Sequence, residues 1–172
     1  MSQFRKFFVA LFIIGFVLLL WQYLVVDQFY GKDFPITSIQ LKNAATGFAM
    51  ASAWAITFAG DHSLLYYARQ NTWIDFIWIA GYAGVFINAA YYLMQREKNK
   101  TLNELLRLCF FLALLAGLLD LIENGILLFD FNHLVSAKQF YSSAYVSYPK
   151  WILSGIVVLI VAVSYVRDLV RR

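Results

Sequence analysis

The stretch that decides the fold reads LLAGLLDLIENGILLF, from Leu114 to Phe129. It belongs to a largely apolar run, 105–129, which is long enough to cross a hydrocarbon core of about 30 Å as a helix at about 1.5 Å per residue. Yet Asp120, Glu123 and Asn124 fall within five residues of one another. Because polar groups are costly in lipid, these side chains are expected to face the inside of a protein.

Composition agrees with a membrane location. The chain has 172 residues, of which 62% are apolar and 14% charged, with a mean hydropathy of +0.65. A soluble domain needs more charge to cover its surface. The sequence therefore predicts an all-α fold, an integral membrane four-helix bundle in one domain, 1–172, with an additional interfacial or packed outer helix. The predicted spans are about 7–26, 72–94, 104–129 and 149–168.

The first apolar stretch follows Arg5 and Lys6, as a signal peptide would. It is too long for an ordinary signal core, and Tyr23–Val26 offers no small-residue cleavage site. We interpret 7–26 as a retained first helix.

Charge decides how many spans there are. A fifth span over 43–60 would put the loop 95–102 opposite the basic N-terminus. With four spans, one side holds nine of the fourteen basic residues, namely Arg5, Lys6, Arg96, Lys98, Lys100, Arg107, Arg167, Arg171 and Arg172. The basic-rich side of a membrane protein is cytoplasmic, which predicts that both termini lie in the cytoplasm.

The outer connection 27–71 is long enough to need structure of its own. We expect a helix within Asn43–Gly60 that lies at the interface or packs on the bundle, with Trp54 and Phe58 facing inward. In the second outer loop, Asp130–Tyr148, tyrosines suit a headgroup-level belt. Pro149 fits the first turn of the last helix, where a missing N–H costs nothing.

The polar residues converge near the outer interface. Helical spacing places Asp120 beside Glu123 and Asn124, and a stripe of small and polar residues faces the other helices: Ala113, Gly117, Asp120 and Asn124. Asp75 is expected about one turn from the outer end of the second helix, and Lys150 opens the fourth. The predicted ligand-binding set is Asp61, Arg69, Asp75, Asp120, Glu123, Asn124 and Lys150, with Asp120, Glu123 and Asp75 as catalytic candidates.

Two interpretations of this set stay open. Arg69 or Lys150 would neutralise the acids in a structural network that holds the helices in register. Alternatively the set is a site, which the excess of three acids over two bases favours.

Other chemistry has weaker support. His62 and His133 occur singly and without HExxH, so no metal site is predicted, and no cofactor is expected. No GxSxG, Walker, GxGxxG or CxxC motif occurs, and the basic residues indicate topology rather than nucleic-acid binding. We expect Tyr82 to pack or anchor. The expected partners are membrane lipid, and either further copies of the chain or a larger membrane complex.

Three segments carry a resemblance: ARQNTWIDFIWIAGY at 68–82, AGLLDLIENGILL at 116–128 and PKWILSG at 149–155. They resemble a group of small, uncharacterised bacterial multi-pass proteins without an established activity. The resemblance implies a bacterial inner (cytoplasmic) membrane as the location, with several spans and both termini cytoplasmic. That group pairs an acid at the start of one span with DxxEN in the next and a lysine that opens the last. The matching positions are Asp75, Asp120, Glu123, Asn124 and Lys150. The sterol-isomerase-like EXPERA fold is an alternative of similar size, but the first helix lacks the internal acid expected there.

The sequence supports two main hypotheses. The first is a non-enzymatic bundle that serves a larger assembly or binds a lipid-like ligand in a polar pocket near the outer interface. The alternative is an intramembrane enzyme acting on a lipid or isoprenoid headgroup, with Asp120 or Glu123 as general acid or base and Arg69 or Lys150 holding an anion. A transporter would need an oligomer. Any pocket is expected to open outward or laterally.

Overall fold

The computed structural model describes residues 3–30 and 39–170, which are almost entirely helical. Within these ranges the helices are α1 (Gln3–Tyr30), α2 (Ala44–Ile56), α3 (Leu64–Met94), α4 (Lys100–Asn132) and α5 (Ala144–Val170). A short antiparallel hairpin of β1 (Phe58–Ala59) and β2 (His62–Ser63) joins α2 to α3. The predicted all-α bundle is confirmed. Residues 31–38 of the outer connection and the basic Arg171 and Arg172 lie outside the described residues.

The helix α3 is the centre of the packing. It contacts α1, α4 and α5, and α4 also packs on α5. In the described part of the chain, α3, α4 and α5 are long and apolar enough to cross a membrane. The helix α1 has 28 residues and contains the predicted first span.

A glycine lets α1 approach α3 closely. A Cβ atom on Gly15 would lie 2.8 Å from the Cα atom of Trp78, which is too close for any larger residue without a shift. The rings of Phe12 and Phe16 flank this contact, with centroids 4.5 and 5.9 Å from that of Trp78. Small residues at such crossings are typical of helices that pack by backbone contact.

The helix α2 begins where an asparagine caps it. The Oδ1 atom of Asn43 accepts a hydrogen bond from the backbone N–H of Thr46 at 2.9 Å. Trp54 is buried as predicted, in a core cluster that includes Phe131 and Phe140. The prediction for Phe58 is wrong, because this residue lies in β1 beyond the helix and is exposed.

The helix α3 begins at Leu64, eight residues before the predicted start of its span. Gly60, with φ of 60°, makes the hairpin turn, and the Ser63 hydroxyl caps the helix by accepting from the Tyr66 N–H. Arg69 therefore belongs to α3 and not to the outer connection. Asp75 lies about three turns from the helix start rather than one.

The last helix also begins early. It starts at Ala144, where the Ser143 carbonyl accepts the backbone N–H of Ser147 at 2.9 Å. Pro149 is thus inside the helix, which corrects its predicted position in the first turn. Lys150 lies nearly two turns into α5 instead of opening it.

Candidate functional site

The polar stripe of α4 faces the inside of the bundle, as its spacing predicts. All four members are buried: Ala113, Gly117, Asp120 and Asn124. Gly117 faces α3, where an added Cβ atom would lie 3.2 Å from the Cβ of Ala83. The small residues bring the two backbones together, and the polar side chains occupy the same interface.

Lys150 brings α5 into the polar interface. Its ammonium nitrogen lies 2.8 Å from Oδ1 of Asp120 and 2.6 Å from Oε2 of Glu123. All three side chains are buried. One cation therefore holds two carboxylates that lie on the same face of α4, and it ties the last helix to that face.

A tyrosine of α3 completes the coordination of Asp120. The Tyr82 hydroxyl donates to Oδ2 of Asp120 at 2.8 Å, while Oδ1 receives the Lys150 ammonium. Both carboxylate oxygens of Asp120 thus have a donor. Through Asp120, the three helices α3, α4 and α5 share one hydrogen-bonded centre.

Asp75 meets the α4 cluster, as predicted, but through a neutral partner. The Nδ2 atom of Asn124 donates to Oδ2 of Asp75 at 2.9 Å. Asp75 is partly exposed, whereas Asn124 is buried. No described residue forms an ion pair with Asp75. Its carboxyl group therefore lacks the cationic partner that Asp120 and Glu123 share.

Glu123 is fully buried, and neither of its carboxylate oxygens has a hydrogen-bond partner of good geometry among residues 3–30 and 39–170, so the 2.6 Å contact of Oε2 with Lys150 is an ion pair. The buried Ser147 lies beside it, but its hydroxyl donates to the Ser143 carbonyl at 2.9 Å. A hydroxyl has one proton, so this geometry leaves the Glu123 carboxylate to the Lys150 ammonium.

The other predicted members lie elsewhere. Arg69 donates from Nη2 to the backbone carbonyl of Phe131, near the end of α4, and forms no ion pair with the three acids. Asp61 is exposed at the turn of the β hairpin. The structure therefore brings together Asp75, Asp120, Glu123, Asn124 and Lys150. This centre, which we call the acid network, contains three carboxyl groups and one ammonium group.

Two side chains that adjoin the acid network are not among the predicted site residues. Tyr82 was expected only to pack, although it lies seven residues after Asp75 and so on the same face of α3. Ser147 lies three residues before Lys150, on the same face of α5. Helical spacing from the predicted site residues would have found both.

A cleft of about 370 Å³ lies at the other end of the same helices. It is formed by the turn between α3 and α4 and by the last turns of α5. Its lining residues are Leu93, Arg96, Glu97, Lys98, Asn99, Leu106, Ser164 and Asp168. None of the predicted site residues lines it, although any pocket was expected at the outer end.

The histidines make aromatic contacts. The His62 ring stacks on Tyr66 with centroids 4.1 Å apart, and the His133 ring stacks on Phe129 at 4.4 Å. In the part of the chain that the structure describes, no three His, Cys, Asp or Glu residues are grouped so that they could hold a metal ion.

Comparison with known proteins adds no assignment: no protein-family model, no curated protein and no solved structure matches this chain.

Proposed function

We propose that this chain is a four-span integral membrane protein that acts without catalysis, as an accessory or ligand-binding bundle of a bacterial cytoplasmic membrane. The acid network holds α3, α4 and α5 in register. Its Asp75 carboxylate recognises the cationic group of a lipid-like ligand from the outer half of the membrane.

The distribution of side chains supports the membrane location. Polar residues such as Glu123 and Lys150 are buried between the helices. The outward surface of α4 is apolar over consecutive turns, with Leu114, Leu115, Leu118, Leu121 and Ile122 all exposed. An apolar surface of this extent is unfavourable in water and ordinary in lipid.

The short second helix supports the count of four spans. The helix α2 has 13 residues and so is about 20 Å long, which is less than the roughly 30 Å of a hydrocarbon core. If α1, α3, α4 and α5 cross and α2 does not, both termini and the turn between α3 and α4 lie on one side. That side is the basic-rich one, which favours the cytoplasm.

One observation carries the ligand proposal: Asp75 is the one acid of the network that forms no ion pair with a described residue. Asp120 and Glu123 share Lys150, while Asp75 receives only the neutral amide of Asn124. A partly buried carboxylate gains most from a cation that it can reach. An amine-bearing headgroup is therefore the ligand chemistry that fits this position.

The enzymatic alternative has less support from the geometry. Its candidate acids Asp120 and Glu123 are buried and bound to Lys150, so a substrate has no direct approach to them. Arg69, its candidate anion-binding residue, is bound to the Phe131 carbonyl. The same five positions carry the resemblance to the DxxEN group of bacterial proteins, and we include membership of that group in the proposal.

Native mass spectrometry of protein released gently from its own membrane tests the proposal. We expect a co-purifying amine-bearing lipid, which Asp75→Asn removes without lowering thermal stability. Asp120→Asn is the matched control, because the same substitution at the bound acid lowers stability instead. The same spectra show whether further copies of the chain or other proteins accompany it.

The ligand proposal fails if Asp75→Asn retains the lipid, or if no amine-bearing lipid accompanies the wild-type chain. Equal destabilisation by both substitutions would leave the acid network as a purely structural element.

A further inference from the structure

The cleft between the α3–α4 turn and the end of α5 has the composition of a binding site. Its inner wall includes Leu93 and Leu106, which are both buried. Its rim carries charges of both signs, from Arg96 and Lys98 and from Glu97 and Asp168. An apolar wall with a few polar groups around it is the usual form of a small-molecule site, and about 370 Å³ lies within the usual size range.

Ser164 points to a ligand independently of the charges. It lines the cleft, is only 6% exposed, and its hydroxyl has no hydrogen-bond partner in the described ranges 3–30 and 39–170. Buried hydroxyl groups are nearly always hydrogen-bonded in folded proteins. A ligand oxygen in the cleft would satisfy this group.

The positive groups of the cleft suit a phosphate. Lys98 is exposed and forms no ion pair with a described residue, and Arg96 presents its guanidinium at the rim. Asn99 caps α4 by accepting the Leu102 N–H at 3.1 Å, so the positive end of the α4 dipole begins at the cleft. Cations and a helix N-terminus together favour an anionic group.

The negative groups at the cleft favour a ligand that also carries a positive charge. Asp168 and Glu97 lie among the lining residues, so a simple anion would meet repulsion as well as attraction. Asp168 lies 3.4 Å from Arg96, with side chains 20% and 44% exposed, and an ion pair of this exposure contributes little to stability. Glu97 is held more firmly, because its Oε1 atom accepts the Asn99 backbone N–H at 2.9 Å as well as lying 3.6 Å from Arg167. A ligand that carries one positive and one negative charge can pair with the arginine and with the carboxylate of the ion pair between Arg96 and Asp168 at the same time.

We propose that this cleft binds the headgroup of a phospholipid that carries both a phosphate and a primary ammonium group, as phosphatidylethanolamine does. The phosphate binds Arg96, Lys98 and the Ser164 hydroxyl, and the ammonium donates to Asp168. The lipid belongs to the leaflet on the side of the α3–α4 turn. This assignment rests on the proposed membrane location, but not on the proposed role of Asp75.

Native mass spectrometry of the full chain in detergent tests the site, with dioleoyl phosphatidylethanolamine, phosphatidylcholine and phosphatidylglycerol titrated separately. We expect phosphatidylethanolamine to bind about tenfold more tightly than either other lipid, because each of them loses a charged hydrogen bond or an ion pair. Phosphatidylcholine lacks the ammonium protons, and phosphatidylglycerol lacks the cation.

Variants locate the binding. We expect Ser164→Ala to weaken phosphatidylethanolamine binding about tenfold without lowering thermal stability, since the hydroxyl has no described partner to lose. Asp168→Asn should reduce phosphatidylethanolamine binding to the level of phosphatidylcholine. Arg107→Gln is the matched control, because Arg107 is exposed on α4 near the same end and does not line the cleft.

Equal binding of the three lipids overturns the proposal, as does an Arg107→Gln effect equal to that of Ser164→Ala. Soluble glycerophosphoethanolamine that binds as tightly as the lipid overturns the lipid as the source of the headgroup. Alkaline carbonate extraction of native membranes keeps the two proposals separate. A chain that it releases contradicts the membrane location, whereas a retained chain without phosphatidylethanolamine preference contradicts the cleft site alone.

Discussion

Two groups of ion pairs lie at opposite parts of α3, α4 and α5, and they differ in distance and in exposure. In the acid network, Lys150 lies 2.8 Å from Asp120 and 2.6 Å from Glu123, and none of these three side chains is more than 8% exposed. At the cleft, Arg96 lies 3.4 Å from Asp168, with side chains 44% and 20% exposed. The same charge types thus occur in two environments of one molecule.

The difference between the two groups shows that burial, and not the number of charges, decides how much an ion pair contributes to stability. Breaking a buried pair leaves a charge that neither water nor protein compensates, at a cost of about 3–5 kcal/mol. An exposed pair is screened and contributes about 0–1 kcal/mol. The buried group should therefore stabilise the packing of α3, α4 and α5 far more than the exposed pair of Arg96 and Asp168 does.

The largest expected effect comes from Lys150→Met. It removes the one ammonium group of the acid network and leaves two buried carboxylates without a cation, so the free energy of unfolding should fall by about 3–5 kcal/mol. Thermal or denaturant unfolding in detergent measures this change. Lys138→Met is the control, because Lys138 is exposed in the loop before α5. Equal stability of the two variants would contradict the assignment of Lys150 as the central cation.

A triple variant sharpens the same point. Asp120→Leu and Glu123→Met, combined with Lys150→Met, replace the buried charges by apolar groups of similar size. Such replacements are often neutral or stabilising in other proteins, so the triple variant should recover most of the stability lost in Lys150→Met. A triple variant no more stable than Lys150→Met would show that the loss comes from packing and not from unpaired charge.

The next largest effect is expected from Asp120→Asn. The Asp120 carboxylate accepts from both Lys150 and Tyr82, whereas an asparagine presents an N–H to one of these donors. The free energy of unfolding should fall by about 2–3 kcal/mol. Glu123→Gln, measured by the same unfolding assay, should cost less because Asp120 also accepts the Tyr82 hydroxyl, whereas Glu123 contacts the Lys150 ammonium without that second bond. The reverse order of the two variants would contradict the geometry of the network.

A smaller effect is expected from Tyr82→Phe. The substitution keeps the ring and removes only the hydroxyl that donates to Asp120, so unfolding should require about 1 kcal/mol less. Tyr91→Phe serves as the control, since Tyr91 is exposed on the same helix. If the two variants unfold alike, Tyr82 contributes to stability only by packing.

The smallest effect on stability is expected at the cleft, from the ion pair between Arg96 and Asp168. Arg96→Gln should change the free energy of unfolding by about 0–1 kcal/mol, and the change should vanish at high salt, because exposed charges are screened. Unfolding curves at low and high ionic strength measure it. A salt-independent loss as large as that of Lys150→Met would remove the distinction between the two groups.

The clustering of the polar residues in one centre could be predicted from the sequence, because helical periodicity depends only on the spacing of residues along the chain. The spacing of Ala113, Gly117, Asp120 and Asn124 places them on one face, and charge in a membrane helix must face inward. The same two rules place Asp75 and Lys150 at this centre. They do not predict which side chains form ion pairs there, because the pairing of Lys150 with Asp120 and Glu123 depends on how three helices pack.

The starts of the helices could not be predicted by the same reasoning. A span is recognised by its apolar residues, so the predicted second span began after Arg69. The helix itself begins earlier, at Leu64, and within this added part Arg69 donates a hydrogen bond to the Phe131 carbonyl of α4. Likewise the apolar pattern predicts Pro149 in the first turn of the last helix, whereas the hydrogen bond from the Ser147 N–H to the Ser143 carbonyl begins α5 earlier. Both errors arise from tertiary contacts that no local pattern contains.

The position of Lys150 in the chain has a consequence for synthesis. The ribosome makes α4 first, and 30 residues separate Asp120 from the lysine that neutralises it. Until α5 emerges, the nascent chain holds two carboxylates on α4 without their cation. Insertion of the last helix thus completes the charge balance of a helix made earlier. A chain released before residue 150 would keep Asp120 and Glu123 without the Lys150 ammonium.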